Sequence, residues 1–459
     1  MNRDRTEEIN RMTEGSISGK MIRFAIPLFI GNLFQQLYNT ADALIVGRML
    51  GSNALAAVAA TGNLVFLLVS IFAGIATGAA VAISRYYGAR DVVRMRLAIH
   101  TQISLDLTVG VVLTVVGVLW TPTFLRWMGT PEDILGLSSQ YLRIYYAGFM
   151  GMIMYNSCRA IMQAVGDSRH PLVYLIVSSL SNIVLDYVFI KFFHGGVGSA
   201  ALATIISQFI SAVLCAGRLL TTKEDYRVRI RELRYNFPLL KQIVSYGLPA
   251  GLQNSVTAIA NVIVQANINS FGTMAVAGCG AYMKLEGFAF LPITSFAIAL
   301  TTFVGQNLGA KEYDRAKKGA RFGVVCCMIV AQVIGAFCYI FAPQLIGAFT
   351  DDPAALAFGV DKIHITTLFY FVLSVSHTLA AVLRGAGKAV IPMISMLLCW
   401  CVFRVIVLSI FVPIYRDINI VYWIYPISWC MCSAFLAVYF LKADWLHGFD
   451  KAPAVAQES

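Results

Sequence analysis

The sequence predicts an all-α polytopic membrane protein of about twelve transmembrane helices in two six-helix lobes. Three observations predict this fold class. The 459 residues are 58% hydrophobic and only 13% charged, with a mean hydropathy of +0.72. Apolar runs long enough to cross a bilayer recur along the chain, and the second half repeats short motifs of the first.

The composition excludes an ordinary soluble fold. Soluble globular chains carry about 25% charged and about 45–50% apolar residues, and no soluble core could bury the excess apolar surface found here. The net charge of +11 is spread over short segments between apolar runs, which fits a membrane surface and argues against a nucleic-acid partner. The ten cysteines form no CxxC pair and lie almost all in apolar runs, so we expect neither disulfides nor a metal cluster.

Apolar runs define the predicted spans, because a membrane helix needs about 20 mostly apolar residues. Polar segments such as 129–133 and 351–353 separate the runs. The predicted spans are 24–47, 55–84, 97–119, 138–158, 172–193, 198–217, 243–268, 276–304, 322–341, 363–383, 391–413 and 420–441.

Basic residues predict the orientation. The two tails and the segments after even-numbered spans hold 27 of the 35 lysines and arginines. The opposite side holds six, namely Arg48, Arg126, Arg143, Lys191, Lys362 and Arg416. The excess of basic residues on cytoplasmic loops therefore places both termini in the cytoplasm. We accordingly divide the chain into a cytoplasmic N-terminal segment (1–23), a lobe (24–217), a cytoplasmic linker (218–242), a second lobe (243–441) and a cytoplasmic tail (442–459).

An internal repeat relates the two lobes. At an offset of 221 residues, 51–57 matches 272–278, 87–91 matches 308–312, and Gly166 with Pro171 matches Gly387 with Pro392. Each repeat holds six spans, so both enter the membrane from the same side. We expect a pseudo-two-fold axis along the membrane normal and a cavity between the lobes.

This organisation favours a transporter over other membrane proteins. The sequence has no Walker motif, no selectivity-filter motif and no clustered catalytic residues, which disfavours a pump driven by ATP, a channel, an enzyme or a receptor. A major-facilitator transporter also has two parallel six-helix halves, but the loop after the second span, with Arg90 and Asp91, does not match its motif. Transport driven by an ion gradient is the simplest reading, with no cofactor.

Charged residues inside the spans are the candidate functional residues, because burying each costs about 2.5–3.5 kcal/mol. They are Asp42, Asp106, Asp186, Lys284, Glu286 and Arg404. Asn182 and Asp186 are four residues apart and share a helix face. Two aspartates in apolar surroundings suit proton uptake and release, and their oxygens equally suit a monovalent cation or a structural polar network; the sequence leaves these open. Arg404 is expected to neutralise an acid or carbonyls, and the role of Asp106 is open.

Several motifs resemble the MATE (multidrug and toxic compound extrusion) family, in particular its bacterial DNA-damage-inducible-type branch. They are the first-span pattern Ile26-Pro27…Gln35-Gln36…Tyr38-Asn39…Asp42, the stretch Asn182-Ile-Val-Leu-Asp186, and in the second half Phe303-Val-Gly-Gln-Asn-Leu-Gly-Ala310 and Leu383-Arg-Gly-Ala-Gly387. The resemblance covers about residues 20–441.

The resemblance implies a monomeric antiporter in the bacterial cytoplasmic membrane, surrounded by lipid. It would export small amphipathic, cationic compounds in exchange for protons or sodium ions by alternating access. The implied coupling cluster is Tyr38, Asp42, Asn156, Asn182, Asp186 and Thr204, with no metal beyond Na⁺ there. The acid that some relatives carry in span ten has no counterpart. The alternative is a flippase for lipid-linked precursors, which the few basic residues within the spans, Lys284 and Arg404, disfavour.

Polar and flexible side chains predict a substrate cavity between the lobes. Amides of the first and seventh spans, with residues of the eighth, form the candidate set, which is Gln35, Gln36, Gln253, Asn254, Gln265, Met283 and Glu286. Pro27 and Pro249 open these two spans, and a proline can bend a helix by removing a backbone donor. A first-turn proline without such an effect is the alternative.

Overall fold

The computed structural model describes residues 11–192 and 195–447, and these residues form helices joined by short connections, with no strand among them. The ends of the predicted cytoplasmic segments, 1–10 and 448–459, lie outside the described residues. The helices of the first half are α1 (Ile17–Leu50), α2 (Ser52–Gly88), α3 (Val92–Trp127), α4 (Glu132–Ala147), α5 (Phe149–Ala164), α6 (Arg169–Lys191) and α7 (Val197–Thr221).

The second half is more interrupted. Its helices are α8 (Phe237–Asn269), α9 (Thr273–Ala289), α10 (Leu291–Gly309), α11 (Tyr313–Ile340), α12 (Ala342–Gly347), α13 (Pro353–Thr366), α14 (Tyr370–Gly385), α15 (Val390–Met396), α16 (Phe403–Tyr415) and α17 (Ile418–Lys442). Short 3₁₀ turns occupy Ile230–Glu232 and Thr367–Phe369, and a π-helical segment, Leu397–Val402, joins α15 to α16.

Ten helical stretches of the described chain are long and apolar enough to cross a membrane. The pairs α9–α10 and α13–α14 each count as one stretch, Thr273–Gly309 and Pro353–Gly385. Two predicted spans are not among the ten. Span 138–158 is divided between α4 and α5 at Gly148, and span 243–268 lies inside α8. The prediction of an all-helical chain with many apolar spans is confirmed.

The repeat is visible in where the helices begin. Corresponding helices start 221 residues apart, at Ser52 and Thr273, Val92 and Tyr313, Glu132 and Pro353, Arg169 and Val390, and Val197 and Ile418. The matched glycines have a physical reason. Gly51 and Gly272 precede α2 and α9 with φ of 87° and 94°, and Gly166 and Gly387 have φ of 87° and 74°. Glycine adopts this left-handed region without the steric cost that other residues incur.

Residue contacts divide the described chain into two units. Unit 1 contains residues 30–251, and unit 2 contains residues 12–29 and the chain from 252 onward. The divisions fall inside α1 and α8, two residues after Pro27 and Pro249. Because α1 begins at Ile17 and α8 at Phe237, both prolines lie in helix interiors, where each removes a backbone donor, and the alternative of a first-turn proline does not apply. The predicted lobe boundaries, 24–217 and 243–441, follow the ends of apolar runs instead.

The N-terminal segment before α1 is fixed within unit 2. The Met12 backbone N–H donates to Gln306 Oε1 at 2.9 Å, and the Met12 side chain is 2% exposed. The Arg315 guanidinium donates to the carbonyls of Met12, Glu14 and Gly15 at 3.1, 3.0 and 2.7 Å. Charge-assisted hydrogen bonds of this kind are stronger than neutral ones, so Arg315 anchors the segment in addition to Gln306.

The linker before α8 packs on α3 within unit 1. The Arg229 N–H donates to His100 Nε2 at 3.0 Å, and His100 Nδ1 lies 2.6 Å from the Arg96 carbonyl oxygen. This geometry requires a neutral imidazole with its proton on Nδ1, since Nε2 must accept. The Asn236 N–H donates to Thr101 Oγ1 at 3.2 Å. The predicted cytoplasmic linker is therefore a packed segment.

Candidate functional site

A polar cavity of about 130 Å³ lies inside unit 1. Side chains from α1, α2 and α4–α7 line it. Hydroxyl and amide groups predominate in the lining, although unit 1 is otherwise rich in apolar residues. The lining residues are Gln35, Tyr38, Val69, Tyr145, Met152, Tyr155, Asn156, Leu175, Ser178, Ser179, Asn182, Thr204, Ser207, Gln208 and Ser211.

Helical spacing explains how the polar groups converge. On α6, Ser178, Asn182 and Asp186 follow one another at intervals of four residues and share one face. On α7, Thr204 begins a series at intervals of three and four residues that continues through Ser207 to Ser211. Two polar helix faces thus meet across the cavity. The serines were missed by sequence reasoning, although their i, i+3, i+4 spacing from the predicted residues is readable in the sequence.

Of the predicted coupling residues, Tyr38, Asn156, Asn182 and Thr204 line the cavity together. Thr204 Oγ1 donates to the Ala200 carbonyl at 3.0 Å, which leaves its lone pairs available as acceptors. The Asn156 amide already has hydrogen-bond partners outside the cluster. Its nitrogen donates to the Met152 carbonyl at 2.9 Å, and its oxygen accepts from Arg159 at 3.3 Å.

Asp42 and Asp186 form the acidic part of the cluster. Asp186 is fully buried on α6, and the Asp42 carboxyl on α1 is near enough to share a hydrogen bond with it. With both groups ionised, neither oxygen of Asp186 has a donor, and Oδ1 of Asp42 has none. Both amide atoms of Asn182 are also buried without a partner. Unpaired buried polar groups are costly, and either a shared proton or a bound cation would satisfy these.

A monovalent cation fits this donor set by its chemistry. The carboxylates of Asp42 and Asp186, the Asn182 amide oxygen and the Thr204 hydroxyl supply hard oxygen ligands from three helices. No group of three or more histidine, cysteine, aspartate or glutamate side chains in the described chain is arranged to hold a metal ion. Hard oxygens of this kind suit an alkali cation better than a transition metal, and uptake of a proton or Na⁺ by the cluster stays a prediction.

A further buried acid of unit 1 lies on α3. Asp106 is 4% exposed, and Gln102 Nε2 donates to its Oδ1 at 2.8 Å and to Ser157 Oγ at 3.1 Å. This network ties α3 to α5. Sequence reasoning left Asp106 open and missed Gln102, although a glutamine four residues before a buried aspartate is a readable pair.

The predicted substrate-cavity residues occupy different environments. Gln35 lines the unit 1 cavity described above, whereas Gln36 is not among its lining residues. In unit 2, Gln253 is buried, with Nε2 2.7 Å from Met396 Sδ and Oε1 3.5 Å from Arg384 Nη1.

The remaining members of that set also lie in unit 2. Asn254 and Met283 are exposed, and Gln265 donates to Asn269 at 2.9 Å. The substrate role of the whole set stays a prediction.

Unit 2 contains its own cluster of charged residues. Glu286 on α9 accepts from the Tyr282 hydroxyl at 2.9 Å, whereas Lys284, two residues earlier, is exposed. Lys362, predicted to lie between two spans on the outer side of the membrane, instead lies inside α13 and is 0% exposed, and its side of the membrane stays a prediction. Its apolar run was read as starting at 363, but Pro353 already begins the helix. Arg404 is 2% exposed, donates to Ser428 and lies within electrostatic range of the acid Glu286.

Comparison with known proteins identifies the relationship. The MatE family model matches residues 27–188 and 249–410, which is the predicted repeat. The chain belongs to the MATE family. Probable multidrug resistance protein YoeA of Bacillus subtilis (strain 168) is 30% identical to it over 85% of this chain and 86% of that relative. The FAD transporter of Shewanella oneidensis is 24% identical over 83% of this chain and 84% of that protein.

A solved MATE structure has the same fold. The outward-facing conformation of a multidrug resistance MATE family transporter of the MOP superfamily matches with a TM-score of 0.87 and 25% identity, over 93% of this chain and 96% of that chain. The chain is thus a multi-pass membrane protein with the two-lobe MATE architecture, and a transporter of small molecules rather than an enzyme. The fold class and the family resemblance predicted from the sequence are confirmed.

Proposed function

We propose that this MATE protein is a secondary antiporter that exports small amphipathic compounds, cationic drugs or metabolites among them, in exchange for protons or sodium ions by alternating access. The proposal includes a monomer in the bacterial cytoplasmic membrane, in contact with lipid, with both termini in the cytoplasm. The multidrug names of its relatives support the substrate class, and the unequal distribution of basic residues supports the orientation.

The acid pair beside the unit 1 cavity carries the coupling part of the proposal. Two like charges about 4 Å apart at an effective dielectric constant of about 20 repel by about 4 kcal/mol. A proton or Na⁺ removes this repulsion and supplies the partner that the unpaired oxygens of Asp42 and Asp186 lack. Occupancy of the cluster therefore changes the free energy of any conformation in which α1 approaches α6. An ion moving down its gradient can bias the transport cycle in this way.

Transport in vesicles tests the proposal and identifies the ion. The purified protein is reconstituted in liposomes, the membrane potential is clamped with valinomycin and K⁺, and uptake of fluorescent ethidium is followed. A pH gradient and a Na⁺ gradient are imposed separately. We expect one of them to drive ethidium against its concentration gradient. Ethidium that only equilibrates under both gradients would rule out antiport for this probe class and overturn the proposal.

A flippase for lipid-linked precursors remains the second candidate function. It requires a basic site for a diphosphate group, and the sequence alone shows few basic residues within the predicted spans, Lys284 and Arg404 among them. Two buried cations in unit 2, Lys362 and Arg404, are the observation that favours it. Flipping of a fluorescent lipid diphosphate in the same vesicles, with no response of ethidium to either gradient, would support this candidate instead.

A further inference from the structure

Two buried cations in unit 2 share one aromatic ring. Lys362 Nζ lies 4.9 Å from the ring centroid of Tyr425, and Arg404 Cζ lies 4.5 Å from the same centroid. Lys362 also faces the ring of Tyr282 at 4.5 Å, and Arg404 that of Trp400 at 5.1 Å. Rings at these distances attract a cation, and a guanidinium stays charged in proteins.

The described chain does not balance these charges. Glu286 is within electrostatic range of both cations, but its carboxylate accepts its hydrogen bond from Tyr282. Lys362 Nζ has no hydrogen-bond partner, and neither has one terminal nitrogen of Arg404, whose Nε donates to Ser428 at 2.8 Å. Two cations and one acid leave an excess positive charge in an apolar interior, together with unused donors on both cations. Such an arrangement is costly unless an anion completes it.

Two members of this cluster have counterparts near the polar site of unit 1. At the offset of 221 residues, Tyr425 corresponds to Thr204, which lines the unit 1 cavity. Lys362 corresponds to Tyr141, which is within electrostatic range of Asp42 and Asp186. A position that faces acids in unit 1 therefore holds a cation in unit 2.

We propose that Lys362 and Arg404 form a binding site in unit 2 for the oxyanion, a carboxylate or phosphate, of an amphipathic transported compound. The guanidinium offers a planar pair of donors that matches an oxyanion, and the ammonium supplies a second charge. The rings of Tyr282, Trp400 and Tyr425 make the surroundings of the two cations apolar, which suits the body of an amphipathic compound. As a substrate site the assignment rests on the proposed transport function, and it extends the substrate class to compounds with an acidic group.

Binding to the purified full-length protein tests the site. The probes are 1-naphthyl phosphate and its neutral counterpart 1-naphthol, with affinity measured by calorimetry. We expect the wild type to bind the phosphate more tightly than the alcohol. Lys362→Met and Arg404→Gln should each weaken binding of the phosphate at least about tenfold, as loss of a charged hydrogen bond does, and leave 1-naphthol binding within about twofold. Lys362→Arg, which keeps the charge, should retain most of the preference.

The matched control is Lys284→Met, which removes the same charge from an exposed position of unit 2 and should bind both probes as the wild type does. Equal binding of the two probes by the wild type would overturn the assignment. The assignment would also be overturned if Lys362→Met or Arg404→Gln lowered the thermal stability but kept the preference for the phosphate, because the residue would then have a purely structural role. Displacement of 1-naphthyl phosphate by an equal concentration of inorganic phosphate would also exclude an amphipathic ligand.

The ethidium assay separates the two proposals. Gradient-driven ethidium transport with no phosphate preference refutes the oxyanion site and leaves the antiporter intact. A phosphate preference that depends on Lys362, with no response of ethidium to either gradient, supports the site and refutes the antiport proposal.

Discussion

Close packing of two helices in unit 1 depends on four glycines, and we expect Gly78→Ala to disrupt it. Gly74 and Gly78 on α2 meet Gly247 and Gly251 on the first part of α8, both pairs at an interval of four residues. A Cβ on Gly78 would lie 2.3 Å from the Ile243 carbonyl oxygen and 2.4 Å from the Gly247 nitrogen. In membranes, small residues at this spacing let helix backbones approach and pack.

The overlap sets the size of the effect. A Cβ does not tolerate contacts under 3.0 Å, so the two helices must separate by about 1 Å. A gap of about 0.5–1 Å removes about a quarter to a half of the dispersion energy of each contact. We therefore expect Gly78→Ala to cost about 1–3 kcal/mol. At about 2–4 °C per kcal/mol for a unit of about 150–250 residues, the melting midpoint falls by several degrees.

Thermal unfolding of the purified protein, followed by intrinsic fluorescence, measures this shift. Gly62→Ala is the matched control, because it lies on the same helix and a Cβ there meets nothing within 4 Å. Alanine is the better helix former by about 1 kcal/mol, so Gly62→Ala should melt at or above the wild-type temperature. Equal midpoints for Gly78→Ala and Gly62→Ala would refute the packing argument.

Three further predictions concern the N-terminal segment, the linker before α8 and the orientation in the membrane. Arg315→Gln removes the three hydrogen bonds from the guanidinium to the N-terminal segment, so limited proteolysis should cleave before α1 faster than in the wild type or in the exposed control Lys318→Gln. Equal cleavage rates would contradict the role of Arg315 in holding this segment. His100→Phe removes the acceptor of the Arg229 N–H, so amide hydrogen exchange of residues 225–233 should become faster. Unchanged exchange would show that packing alone holds the linker in place. On a cysteine-free background, a cysteine at Lys317, an exposed position next to Ala316, should react only from the cytoplasm and one at Asp352 only from outside. The reverse would overturn the orientation.

The sequence predicts a large part of the architecture because the repeated motifs contain residues that the local backbone conformation requires. Gly51 and Gly272 are matched because both positions need positive φ, and this fixes where α2 and α9 begin. The acid pair is also readable, since a charge inside an apolar run requires a use. Both features are predictable because each depends only on residues close to it in the sequence.

Long-range pairing is what the sequence did not reveal. Nothing in the mixed polar composition near Met12 indicates that Gln306 and Arg315 bind its backbone, about 300 residues away. Lys362 was misplaced for a related reason: at the edge of an apolar run, a lysine has the same pattern whether it reaches solvent or turns inward to Tyr282 and Tyr425. The choice depends on neighbours from other helices, which periodicity does not encode.

The central claim is that the acid pair of unit 1 couples transport to an ion, and substitution of the acids tests it most directly. Asp42→Asn and Asp186→Asn keep the shape and hydrogen-bonding capacity of each side chain but remove the charge that holds a proton or cation. Each should abolish gradient-driven ethidium efflux in vesicles while leaving the fold and ethidium binding near the wild type. Because the two residues act as one site, the double variant should be scarcely worse than either single one.

Glu286→Gln and Asp106→Asn are the comparison variants in the same vesicles, measured at matched protein density. Glu286 accepts from Tyr282 away from the unit 1 cluster, and Asp106 is held by Gln102, so both variants should retain efflux, Asp106→Asn the more fully. The account predicts no gradient-driven efflux in Asp42→Asn and Asp186→Asn and substantial efflux in Glu286→Gln. Normal efflux in both aspartate variants with none in Glu286→Gln would contradict it and place the coupling site in unit 2.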